Sequence, residues 1–126
     1  MTTSTKSVRG LGAAGSGTQH HIRQRVSALA LLILVPWFLY SISSAMGSGY
    51  EAAIVWMSKT HNAVPLVLLI SAALYHMRLG MEVVIEDYIG KSGTRQALLI
   101  LNAFVVLVAF VVAILAVLGV WLGTNV

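Results

Sequence analysis

The chain has 126 residues, 58% of them hydrophobic and 10% charged, with a mean hydropathy of +0.87. That composition excludes an ordinary water-soluble domain, and a net charge of +4 from eight scattered Lys and Arg residues offers no basic face for nucleic acid. With no cysteine, disulfides, thiolate-bound iron–sulfur clusters and thiol-attached cofactors are excluded as well.

Residues 1–25 are rich in Gly, Ser and Thr, basic and free of acids. They read as a basic cytoplasmic segment, and an organelle transit peptide has the same look. The first apolar run, 26–46, starts late and is long enough to span, so it reads as a membrane helix rather than a cleaved signal. Within its "SALALLILVPWFLYSISSAM", Pro36 removes one backbone hydrogen bond and is expected to bend the helix.

An external loop, 47–62, follows. In "YEAAIVWMS", Tyr50, Ala53, Ile54 and Met57 recur at helical spacing, which predicts a short helix lying flat on the outer surface with Trp56 at headgroup depth as an anchor. The second span occupies 63–88, with its apolar part over 63–85, and a cytoplasmic loop covers 89–96. The third span, 97–122, is apolar on every side except at Asn102, and residues 123–126 form an external tail.

Each apolar stretch reaches the roughly 20 residues needed to cross a hydrocarbon core. Strands would need a closed barrel, so the fold class is an all-α integral membrane protein whose three transmembrane helices form part of a heteromeric bundle. Lys6, Arg9, Arg23 and Arg25 precede the first span and Lys91 and Arg95 follow the second, against Lys59 alone on the other side. By the positive-inside rule the N-terminus faces the cytoplasm, or the matrix in a mitochondrion.

The second span carries the chemistry. In "LYHMRLGMEVVIEDYIG", residues 74–90, His76 lies about 16 Å of helix from Asp87, which places the histidine deep and puts Asp87 and Tyr88 at the inner interface. Ala72, Ala73, Gly80 and Asp87 share the His76 meridian, while Arg78, Glu82 and Glu86 form a second stripe. Arg78 and Glu82 are expected to pair, which lowers the cost of ions in a span. Arg before Glu is the weaker order, so a partner on another helix or chain is expected too.

Small residues one turn either side of His76 leave room for a flat macrocycle, which suits a haem. A histidine bonded to a neighbouring helix, with Gly80 serving close packing, fits the spacing equally well. If His76 ligates iron, this chain supplies one axial ligand and another subunit supplies the second. His20, His21 and His61 lie outside the predicted core and read as solvated, with His20 or His21 able to touch a partner. Tyr88 alone is compatible with an aromatic-belt residue. No phosphate loop, nucleophile motif or repeat is visible.

The run "HMRLGMEVVIEDY" resembles the second-span signature of the hydrophobic membrane-anchor family of succinate dehydrogenase, H-x3-G-M-x5-D-Y. "VRGLGAAGSGTQHHIRQRVSALAL" is similar to the leader of that family, including its Gln-Arg pair, and weakens the transit-peptide reading. The resemblance covers about residues 8–122. It implies an anchor that holds a b-type haem jointly with a second, cytochrome b-type anchor subunit, and that tethers a flavoprotein subunit and an iron–sulfur subunit. His76 then matches the haem ligand, Tyr88 the residue that donates to a ubiquinone carbonyl, and Asp87 its acidic neighbour. A protonated phenol can donate to an oxygen gaining negative charge.

The resemblance implies a non-succinate-oxidising member of an oxidoreductase complex in the bacterial inner membrane, or in the mitochondrial inner membrane. A quinol-fumarate reductase anchor is the alternative in the same architecture. A small transporter using Arg78, Glu82 and Glu86 as a relay is the alternative outside it.

Overall fold

A computed structural model describes residues 14–123, with side chains from residue 17 onward. Lys6 and Arg9, counted in the charge asymmetry, and the tail after Gly123 lie outside the described residues. The described chain is helical: α1 (Ala14–Met46), α2 (Tyr50–Ser58), α3 (Thr60–Tyr88) and α4 (Ser92–Trp121). α1, α3 and α4 are long and apolar enough to cross a membrane.

Short connections force consecutive helices to fold back on each other. Gly49, at φ 83°, starts α2 in a left-handed conformation that a side chain would strain. Lys59 alone, in extended conformation, separates α2 from α3, and a few residues ending in extended Lys91 separate α3 from α4. α3 packs against both α1 and α4, and α2 touches all three. The outward faces carry large apolar side chains such as Leu32, Ile33 and Val112. Helices satisfy their own backbone polar groups, so such faces suit lipid.

α1 starts well before the apolar run that predicts it, so His20, Arg23 and Arg25 lie on the helix itself rather than in a leading segment. α1 also runs through Pro36, and α3 through Pro65; each proline removes one N–H donor without ending its helix.

The tightest packing gathers at the α2 end, where Ala45, Trp56, Ala63, Leu66 and Val117 form a buried cluster. Trp56 is only 7% exposed, and its ring lies 6.1 Å from Trp37 and 5.9 Å from Phe38. The surface anchor expected at Trp56 is therefore corrected: the indole turns into the bundle. Its N–H donates to Ser41 Oγ at 2.9 Å, and that partner offsets the cost of turning a polar ring inward. Buried Asn62 donates to the Trp56 carbonyl at 2.9 Å and accepts from Ser41 Oγ at 3.4 Å. Trp121 Nε1 donates to Thr60 Oγ1 at 3.0 Å, tying α4 to the start of α3.

Candidate functional site

The antiparallel register of α1 and α3 builds the site. His20, Gln24 and Ser27 recur at i, i+4 and i+7 and share one face of α1. Opposite them on α3, Ser27 meets His76, Gln24 meets Gly80, and His20 approaches Glu82.

Ser27 is buried. Its hydroxyl donates to the Gln24 carbonyl at 2.9 Å, and its oxygen lies 2.9 Å from His76 Nδ1. One hydroxyl carries one hydrogen, and with that hydrogen on the Gln24 carbonyl, Ser27 Oγ accepts from an Nδ1–H. The other ring nitrogen, Nε2, is then the one with a free lone pair, and it makes no hydrogen bond among the described residues. The space expected for a macrocycle at Gly80 is taken by Gln24, whose Nε2 would lie 3.7 Å from a Cβ there. An open, largely apolar groove of about 540 Å³ instead lies beside Ser27, between Val26, Ala30, Ala72 and Tyr75.

The charged stripe forms as its spacing predicts, with Arg78 Nε donating to Glu82 Oε1 at 3.1 Å. Help from a second helix comes from His20, whose Nδ1 is 3.9 Å from Glu82 Oε2. His20 is therefore half-buried against α3 rather than solvated, because α1 continues as a helix past Val26 towards its N-terminus. Asn102, the lone polar residue of the third span, donates to the Arg78 carbonyl at 3.1 Å. His20 Nε2 and Gln24 Oε1 are buried without a hydrogen-bond partner among the described residues.

His21 and His61 are exposed, as are Glu86 and Asp87. Tyr88, at 83% exposure, ends α3 about 18 Å along the helix from His76. The structure thus brings His76 together with Ser27 and Gln24, and leaves Asp87 and Tyr88 apart from it. Ser27 and Gln24 were missed by sequence reasoning. A hydroxyl inside the apolar run of α1, in i+7 step with His20, was the available signal, but only the register of α1 on α3 gives it meaning.

The donor fits one position on a haem: an imidazole whose Nδ1 is bonded to Ser27 and whose Nε2 has no partner among the described residues. Among the described residues no group of three or more His, Asp or Glu side chains could hold a bare metal ion. The class so defined is an all-α integral membrane protein with three helices long and apolar enough to span a bilayer.

Comparison with known proteins supplies the family. The profile described as succinate dehydrogenase/fumarate reductase transmembrane subunit matches residues 1–121, and the chain belongs to that family. It is 37% identical over 106 residues to the succinate dehydrogenase hydrophobic membrane anchor subunit of Rickettsia bellii (strain RML369-C), covering 82% of this chain and 85% of the relative. It is 34% identical over 100 residues to the Paracoccus denitrificans protein of the same name, covering 79% and 77%. A succinate dehydrogenase membrane anchor subunit from Reclinomonas americana is 28% identical over 83 residues, covering 64% and 69%. No solved structure matches.

Proposed function

We propose that this chain is the hydrophobic membrane-anchor subunit of a succinate dehydrogenase, a succinate:ubiquinone oxidoreductase of the bacterial inner membrane. It tethers the flavoprotein and iron–sulfur subunits, where succinate is oxidised, to the cytoplasmic face of the bilayer. Together with a second anchor subunit of the cytochrome b type it would hold haem b, with His76 as the residue of this chain that would ligate it. Haem b, when bound, would supply a one-electron store. Tyr88 donates its phenolic hydrogen to a ubiquinone carbonyl, and Asp87 supports the same pocket. The names of the relatives favour succinate dehydrogenase over the fumarate-reducing version.

The single observation that carries this reading is the family match over residues 1–121; the Ser27–His76 bond, which also meets the helix-packing expectation for this histidine, is compatible with ligation because it leaves Nε2 without a partner among the described residues. A relay through Arg78, Glu82 and Glu86 has weaker support, because Arg78 and Glu82 are engaged with each other and Glu86 stands exposed. The test is a reduced-minus-oxidised spectrum of the purified complex, wild type against His76→Ala. The variant should lose the b-type bands; unchanged bands would remove His76 as the ligand.

A further inference from the structure

We infer that Ser27 is the positioning residue of His76: its hydroxyl oxygen accepts from Nδ1–H, fixes the tautomer and ring orientation, and raises the basicity of Nε2 toward haem iron. This inference rests on the ligand role of His76 given above, and goes beyond it by assigning a residue of α1 that neither resemblance nor spacing picks out.

Three observations converge on Ser27. Its hydroxyl is one of the few buried polar side chains among the described residues, on the face of α1 that packs against α3. It is anchored from behind by its own bond to the Gln24 carbonyl at 2.9 Å, so the oxygen cannot rotate away from the imidazole without losing that bond. It reaches Nδ1 at 2.9 Å, a full-strength distance for an N–H···O bond. A neutral imidazole has one N–H, and whichever nitrogen donates leaves the other to bind metal. Ser27 thereby decides which nitrogen that is. Such outer partners of ligating histidines commonly affect metal affinity by about ten-fold or more when removed.

Because the hydroxyl stands on a neighbouring helix, it also couples ligation to helix packing. α1 must sit in its native register on α3 for the hydroxyl to meet Nδ1, so Ser27 makes the docking of α1 a condition for an oriented ligand.

The experiment uses the whole complex, with co-purification of the partner subunits as the check on assembly. Ser27→Ala, Ser27→Thr and His76→Ala are compared by ferric low-spin EPR, by redox titration of the b-type bands, and by the rate of haem loss to excess apomyoglobin. Ser27→Ala should broaden or shift the EPR signal, move the midpoint potential upward because a less basic ligand favours ferric iron less, and speed haem loss by about ten-fold. Ser27→Thr, which keeps a hydroxyl, should remain close to wild type in all three. If Ser27→Ala matches wild type while His76→Ala loses the bands, Ser27 is not the positioning residue and the ligand role of His76 stands. Equal damage from Ser27→Ala and Ser27→Thr also overturns the inference, since space rather than an acceptor would then be what the site needs. Retention of the bands in His76→Ala overturns both.

Discussion

Tyr88, the proposed quinone contact, has little structural value of its own. Its ring is exposed at the last position of α3 and makes no hydrogen bond among the described residues, so removing its hydroxyl should leave the bundle within about 0.5 kcal/mol of wild type. A phenol that donates to an oxygen gaining charge is a different matter, since loss of one such donor commonly costs about a hundred-fold or more in turnover. Tyr88→Phe should therefore depress ubiquinone reduction by about that factor while succinate oxidation with an artificial acceptor continues. A parallel fall in both activities would argue against quinone contact. At this scale the sequence was informative wherever a local spacing governs: the Arg78–Glu82 pair follows from i, i+4 geometry, and His76, Asp87 and Tyr88 stand out through a compact motif. Ser27, Gln24 and His20 were not legible, because their roles depend on which turn of α1 faces which turn of α3. Nothing in a one-dimensional pattern specifies that register.

Among the elements, α2 differs most from expectation. Its helical spacing was readable, but a short helix with a tryptophan can lie on a bilayer or fold inward, and its period is the same in both cases. What decides is the polar company at the α2 end: Ser41 for the indole N–H, and Asn62 for the Trp56 carbonyl. That carbonyl belongs to the last turn of α2, where intrahelical donors have run out. Asn62 acts as a side-chain cap reaching back from α3. Asn62→Ala should cost about 1–3 kcal/mol by leaving a buried acceptor unpaired, visible as a lower thermal midpoint of the assembled complex. The exposed neighbour His61→Ala serves as the control, and equal midpoints for the two variants would show that the cap contributes nothing. The long helices were easier to find, because a run of apolar residues long enough for a bilayer has few alternatives. Their ends were harder: α1 and α4 both begin in polar residues that hydropathy assigns to loops.

For the whole molecule, two polar layers set the constraint. Ser41 and Asn62 mark one, Ser27 and His76 the other, and along either helix they are separated by about 21 Å. A hydrocarbon core is about 30 Å thick, so the two layers cannot both lie outside it. The first layer is covered by the chain's own Trp56 and Ala45. The second keeps Arg78 at 45% and Glu82 at 22% side-chain exposure, and its His20 Nε2 and Gln24 Oε1 have no partner among the described residues, a surface that suits protein or water better than lipid. The proposed orientation, with this layer nearer the cytoplasm, is open to a direct test because the chain contains no cysteine. Single replacements Ser48→Cys and Ser92→Cys in the assembled complex should react oppositely with a membrane-impermeant maleimide: Ser48→Cys in right-side-out vesicles, Ser92→Cys in inverted ones. The reverse pattern would refute the orientation.

The tie between Trp121 and Thr60 has a mechanical consequence. With Trp56, Asn62 and Ser41 beside it, that tie clamps one end of the helix cluster, whereas past Glu82 no side chain of α3 is hydrogen-bonded or ion-paired to another helix among the described residues. Tyr88 sits at the opposite end, where the short connection of residues 89–91 is what ties α3 to α4. In the proposed site that phenol is held by the α3–α4 connection and by the proposed partner subunits, so quinone affinity would double as a gauge of correct assembly.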